Sequence, residues 1–343
     1  MVTEVYTGAG ASVHYGLECA TAYGTAVTAD KTFGLNTRVT SLSLTTNRID
    51  FNTLGQVEPT AYAYGQQQGR LGIGFVMDTR TSHEIFATLY GVDSSAPFTY
   101  PPTLGEDQAP VSARSITTQI QLQTADNQNS KVLMTRKLLG GIVNSIGLST
   151  SIGEPLNATA DITFGKEVAA TTTHAGGTLT AQTKIHSSAV PFTFAHGVLK
   201  VSNGSSLQPV GEVQSVDINF NQNSDLLYKI GSHHATGAFR KVLDITGRFQ
   251  CTFKDITLLQ HLLDQAADAT ALTAKGGIDE DSSTPTVAAS LTFTNPQDAD
   301  QILTIELTGL SFDEHSVTGL EPVEVVFQDL PFKAIAAKIT QET

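Results

Sequence analysis

Apolar side chains fall on every second residue along much of this chain. In LDITGRFQCTF (243–253), Leu243, Ile245, Phe249, Cys251 and Phe253 alternate with Asp244, Thr246, Arg248, Gln250 and Thr252, and Gly247 holds the phase. A period of two sends the two sets to opposite faces of a pleated strand, so one face is predicted buried and the other wet. After Lys254-Asp255 the period changes. Ile256, Leu259, Leu262 and Leu263 recur at helical spacing, and Asp255 stands at the N-cap position. Residues 71–90 carry the same construction: Leu71, Ile73, Phe75 and Met77 alternate, Asp78 ends the run, and HEIFATLYG supplies Ile85, Phe86, Leu89 and Tyr90.

Taken in order, residues 1–38 show no sustained period and read as an N-terminal arm. Val39–Thr45 alternates and predicts a strand; 49–69 reads as a long loop or irregular hairpin before the strand Leu71–Met77 and the helix His83–Tyr90. The proline-rich stretch 91–114 reads as a long exposed connection. Further strands are predicted at 115–122, 142–150 and 156–164, the last two forming a hairpin around Gly153-Glu154-Pro155. Residues 167–190 are rich in Thr, Ala, Gly and Ser without a period, and place a linker or extended arm at 171–190. Strands follow at 192–201 and 213–220, then an irregular stretch (221–239), the strand and helix of 243–263, and a polar loop (266–289). Strands near 290–294, 302–312 and 322–332 close the chain.

The two halves repeat one order. VTSLSLTTN (39–47) lies beside VQSVDINFN (213–221), the strand–Asp–helix unit 71–90 beside 243–263, and RSITTQ (114–119) beside ASLTFT (289–294). GEPLNATADITFGK (153–166) lies beside LEPVEVVFQDLPFK (320–333). Offsets run from 167, between Glu154 and Glu321, to 178, between Arg70 and Arg248. That period is far longer than a solenoid repeat. It predicts a mainly β protein of two similar β-sandwich or barrel domains, 39–170 and 191–343, each with one short α-helix packed on sheet.

Composition agrees. With 343 residues the chain is long enough for such a core, and absent Trp and sparse charge suit a β-rich protein better than a helical enzyme. The net charge of −13 argues against a surface that grips nucleic acid by neutralising phosphates, yet suits one that lets it pass. Cys19 and Cys251 form no disulfide framework, and both are expected reduced. The N-terminus shows no basic region followed by an apolar run, and no apolar stretch reaches spanning length, so a soluble protein made inside a cell, without a membrane partner, is expected.

Catalytic motifs do not emerge. GRLGIG (69–74) lacks dinucleotide-loop spacing and is itself strand-like, so its glycines are read as points of close backbone approach or a bend. TGAGAS (7–12) lacks the Lys-Ser/Thr of a phosphate loop, and there is no GxSxG. His233 and His234 are adjacent and point to opposite faces of a strand. The acidic run Asp279-Glu280-Asp281 lacks calcium-loop spacing. No metal, cofactor or catalytic residue is assigned.

Over nearly its whole length the chain resembles the tail tube proteins of tailed phages and archaeal tailed viruses. The resemblance is carried by HYGLECATAYGTAV (14–27), SLSLTTNRIDFNTLGQ (41–56), GGIVNSIGLSTSIGEPLNATADITFGKEV (140–168), VPFTFAHGVLKV (190–201), VQSVDINFNQN (213–223) and ITGRFQCTFKDITLLQHLL (245–263), in that order. It implies a structural virion protein without enzymatic activity. Such proteins assemble in the host cytoplasm into rings with a continuous lumenal β-barrel, stacked as a tube that conducts DNA during genome ejection. The partners implied are other copies of the chain, a tail terminator, a tape measure and baseplate or tip proteins.

With a duplication, three chains would make a ring of six domains; a hexamer of the whole chain is the alternative. The lumen candidates are Asp217, Asn219, Asp244, Thr246 and Gln250, with Arg248 and Arg70 on the polar faces of corresponding strands and expected to pair with carboxylates. Pro101, Pro102, Asp279, Glu280 and Asp281, in the two long loops, are candidate ring-stacking residues. Two competing readings remain: a two-domain β-sandwich that binds carbohydrate at a tail tip or host surface, and a β-rich hydrolase. The first wants exposed aromatics; here most Tyr and Phe fall on apolar faces.

Overall fold

The computed structural model describes residues 11–18, 23–51, 54, 57–58, 61–90, 98–100, 114–123, 132–170, 189–203, 207–209, 212–252, 287–295, 297–312, 316–318 and 326–342. The strands of the first half are β1 (Ala11–Leu17), β2 (Leu35–Phe51), β3 (Ala61–Val76), β4 (Phe98–Tyr100), β5 (Ile116–Gln123), β6 (Val132–Ser151), β7 (Asn157–Phe164) and β8 (Lys166–Ala170). Those of the second are β9 (Gly197–Asn203), β10 (Gln208–Pro209), β11 (Val213–Asn221), β12 (Asp225–Leu227), β13 (Gly237–Phe239), β14 (Asp244–Thr252) and β15 (Val287–Asn295). They continue as β16 (Asp298–Thr308), β17 (Ser311–Phe312), β18 (Ser316–Thr318), β19 (Phe327–Ala334) and β20 (Ala336–Gln341). A 3-10 turn, Ser82–Ile85, leads into the short helix α1 (Phe86–Tyr90). The helix expected at 256–263 lies outside the described residues.

The fold is mainly β, and the two halves use one pairing scheme. In the inner layer the first half runs β2–β3–β7–β6; the second runs β11–β14–β19, with β17 and β18 both on the far side of β19. In the outer layer the first half runs β1–β5–β6–β8 and the second β9–β15–β16–β20. Registers repeat as well. Gly69 stands across from Leu44 on one side and Phe164 on the other; Gly247 stands across from Ile218 and Phe332. The two inner layers join where β6 pairs antiparallel with β11, making one continuous sheet. Among the described residues no sheet closes into a barrel.

Strand β6 serves both layers. Thr135–Leu139 pairs with β8, whereas Ile142–Ser149 pairs with β7. The handover is at Gly140-Gly141, where Gly140 has φ +64° and a methyl group would come within 2.6 Å of the Tyr23 ring. A strand that changes sheets needs such a bend, and glycine alone supplies it without strain.

The alternation read from the sequence selects the buried face. Leu71, Ile73 and Phe75 of β3, Ile146 and Leu148 of β6, Val216, Ile218 and Phe220 of β11, and Ile245, Phe249 and Cys251 of β14 are all buried. Rings of Phe249 and Phe332 stack at 4.4 Å, and Phe86 of α1 meets Phe220 edge-on at 6.0 Å. Apolar residues of both halves join one core, where Phe86 of α1 in the first half packs on Phe220 of β11 in the second.

Several stretches differ from expectation. Residues 11–17, read within an arm, form β1, whose Val13, Tyr15 and Leu17 alternate too briefly to stand out among glycines and alanines. Of the two readings offered for 49–69, loop or irregular hairpin, the described residues 49–51 and 61–69 form the hairpin, the outer part of a long β2–β3 ribbon with shifted register. Within the connection 91–114, β4 pairs with β20 and buries Tyr100. The chain near the start is anchored by Glu18. Its buried carboxylate accepts hydrogen bonds from Ser115 Oγ (2.6 Å), Thr117 Oγ1 (2.8 Å) and the backbone N–H groups of Gly24 (2.8 Å) and Gly140 (2.9 Å).

Candidate functional site

The wet face of the inner sheet gathers the polar residues of strands from both halves. Antiparallel pairs place directly opposed side chains on one face. Asp217 stands opposite Arg248 and Ser149, Asn219 opposite Thr246 and Gly147, and Asp244 opposite Asn221. Gln250 stands opposite Ser215 and Asp329, and Arg70 opposite Ser43 and Thr163. All seven candidates therefore share one face. Asp217, Asn219, Thr246 and Arg248 also line a shallow concavity of about 510 Å³ with Gly147, Ser149 and Thr159, centred on the β6–β11 junction. Arg70 lies farther along the sheet, with β7 and β6 between it and Asp217. Pro101, Pro102, Asp279, Glu280 and Asp281 lie outside the described residues.

Charge on this face is nearly balanced. Arg248 donates from Nε and Nη2 to the two carboxylate oxygens of Asp329, a two-point pairing across β14 and β19. The expected carboxylate partner is thus present for Arg248, and the Asp329 hydrogen bond raises the guanidinium's pKa further. Arg70 forms no ion pair among the described residues. Desolvation in the concavity raises the pKa of the Asp217 carboxyl from its ordinary value, and the Arg248 charge opposes the shift. Asp161, Asp217, Asp244 and Asp329 stand against Arg38, Arg70, Arg248 and Lys333, with Arg38 opposite Gly74 on the same face. With Arg248 already paired, too few cations remain to neutralise a run of phosphates, and the other positions carry Ser, Thr, Asn and Gly.

Sequence reading missed about half of this face. Asp161 and Thr159 of β7, Ser149 of β6, and Asp329 and Lys333 of β19 belong to it through their ladders. Their signal was present as the complement of the apolar set: Ala158, Ala160 and Ile162 point inward, so Thr159 and Asp161 point outward.

The ribbon of β2 and β3 is a second surface. Ile49, Phe51, Leu54, Val57, Tyr62 and Tyr64 are exposed along it, so Phe51, Tyr62 and Tyr64 are exceptions to the expectation that most Tyr and Phe fall on apolar faces. Tyr62 and Tyr64 pack edge to face at 5.5 Å, and the Arg48 guanidinium lies 4.6 Å from the Tyr62 ring. At its base the ribbon leans on the 222–243 segment. Tyr228 Oη donates to the Gln67 carbonyl (2.9 Å), and the Gln67 N–H donates to the His233 carbonyl (2.8 Å).

Among the described residues no cluster of three or more His, Cys, Asp or Glu is placed to hold a metal ion. No helix there is long and apolar enough to cross a membrane. Comparison with curated proteins returns no match. A family model described as phage tail tube protein matches residues 8–334, nearly the whole chain, and the chain belongs to that family of structural tail proteins.

Proposed function

We propose that three copies of this chain, each contributing two tube domains (39–170 and 191–343), close into a ring of six repeats around a lumen. The rings stack into the tail tube through which DNA leaves during genome ejection. The observation that carries this reading is the repeated strand order along one continuous inner sheet. A sheet already built of two equivalent segments side by side extends around a ring by adding the same segment again. Its wet face, small and near neutral in charge, suits a wall past which a polyanion slides without binding.

The exposed ribbon supports stacking. One face of the ribbon presents Ile49 and Phe51 beside Ala63 and Ala61, the other Tyr62 and Tyr64 beside Asp50 and Arg48, and exposed apolar side chains gathered on one hairpin mark an interaction site. Particles would be assembled in the host cytoplasm and end at a terminator and a tip, with a tape measure inside during assembly. The chain performs no catalysis in this role.

Tyr62 and Tyr64 also favour a second reading, a β-sandwich that stacks sugars at a host surface. Negative-stain microscopy of the purified chain separates the two. Rings or tubes with a central hole, threefold with near-sixfold repetition end-on, are expected; a dispersed monomer at high concentration would reject the tube.

A further inference from the structure

Among the described residues the two ends of the inner sheet are unpaired edges, and the junction inside the chain shows what fits them. There β2 ends the sheet on one side with β3 as its one neighbour, and β17 and β18 end it on the other with β19 as theirs. Unpaired edges of this length are templates for another strand. By the ladders around Gly69 and Gly247, Leu44 is the counterpart of Ile218, so Thr45 and Thr46 are counterparts of Asn219 and Phe220. By the same ladders Phe164 corresponds to Phe332, hence Asp161 to Asp329. Their partners Ser145 and Ser316 then correspond, so Val317 matches Ile146 and Thr318 matches Gly147.

Burial supplies an independent observation. In β11, which has β6 as a neighbour, Val216 and Phe220 are buried and Ile218 is only 2% exposed. At the equivalent places in β2, Leu42 is half-buried, Leu44 is 38% exposed and Thr46 is exposed. Leu42 and Leu44 keep the apolar alternation of Val216 and Ile218, Thr46 stands where β11 has Phe220, and among the described residues no strand lies beside β2 as β6 lies beside β11.

We infer that β2 of one chain pairs antiparallel with the β18 edge of a second copy, repeating the β6–β11 junction, with Thr45 opposite Thr318 and Thr46 opposite Val317. In the internal junction the matching pairs are Asn219 with Gly147 and Phe220 with Ile146. The occupant is another copy of this chain because the edge that completes β2 is the counterpart of one the chain already uses. Head-to-tail pairing of this kind is heterologous and generates rings. The inference rests on the tube reading and fixes the contact within it.

The test uses the full chain carrying either Thr45→Cys with Thr318→Cys or Thr46→Cys with Val317→Cys. Successive antiparallel pairs alternate in geometry, and the non-hydrogen-bonded one brings side chains closer, so one of the two is placed for a disulfide. The control, Ser43→Cys with Ser316→Cys, is four residues out of register, about 13 Å at ~3.3 Å per residue and beyond the ~7 Å Cα limit for a bridge. After mild oxidation and non-reducing denaturing electrophoresis, covalent multimers are expected from one in-register pair and not from the control or the unaltered chain. Rings or tubes by microscopy without that cross-link, or with equal cross-linking in the control, would overturn the junction while leaving the tube reading standing. Failure of the unaltered chain to form rings would sink both. A second variant avoids cysteine. Leu44→Asp is expected to leave monomer unfolding unchanged and abolish assembly, and undiminished assembly would refute the junction.

Discussion

Gly69 and Gly247 occupy equivalent places, each under the ring of a buried phenylalanine, yet an added methyl group meets different obstacles. At Gly69 the methyl would lie 2.1, 2.3 and 2.7 Å from Cζ, Cε2 and Cε1 of Phe164, all in one ring. At Gly247 it would lie 2.3 Å from Phe332 Cζ but also 2.4 Å from the Asp217 carbonyl oxygen. Carbon atoms rest about 3.5–4.0 Å apart, so either ring would have to retreat by more than ~1 Å in a close-packed core. Gly69→Ala and Gly247→Ala are each expected to cost about 1–3 kcal/mol by overpacking. The rescue should differ. Phe164→Leu removes the obstacle at Gly69, and a double-mutant cycle should recover about 1–2 kcal/mol, within the usual range for touching residues. Phe332→Leu leaves the Asp217 carbonyl, held between the β14 and β6 ladders, so recovery should be smaller by ~1 kcal/mol. Urea unfolding of the unassembled chain, compared by midpoint at constant m, measures both cycles. Equal coupling at the two sites would refute the reasoning.

Other outcomes follow from single sites. His83 is buried against the rings of Phe98 and Tyr100, and burial with the Lys31 charge lowers its pKa to about 3. The unfolded chain takes that proton near ~6.5 and the folded chain does not, so between pH 6.5 and 3 stability falls as pH falls, by up to about 1.4 kcal/mol per pH unit. His83→Phe should flatten that slope by close to one proton in unfolding titrations, and an unchanged slope would count against it. Glu18→Ala strips the acceptor from two hydroxyls and two backbone N–H groups, at about 1–3 kcal/mol for each group left buried and unpaired. Earlier proteolytic cleavage near the N-terminus should report the loss. Asp217→Lys with Asp244→Lys should leave tubes intact and slow DNA release, with recovery at high salt. Loss of assembly would instead place these two residues at an interface.

Period-two alternation was legible wherever apolar residues ran long enough, as in β3, β7, β11 and β14, and it chose the buried face correctly at Leu71, Ile162, Ile218 and Phe249. Turn chemistry was legible at Gly153, whose φ of +81° closes the β6–β7 hairpin. Strands whose pattern is weak or atypical were less legible: β1 was too short to be read, and the outer ribbon of β2 and β3, where both faces are wet, left loop and irregular hairpin both open. A strand exposed on both sides looks like a loop to any reading based on burial.

By itself the chain determined the β class, the duplicated order of its parts and which face of each paired strand is buried, because these follow from local periodicity and from matches between distant segments. The tertiary structure alone decided that the two halves share one inner sheet through β6 and β11, that Asp329 is the partner of Arg248, and that Leu44 is exposed where Ile218 is buried. Those facts depend on which strand lies beside which. Periodicity is a property of one segment, whereas adjacency is settled by the whole core closing around it.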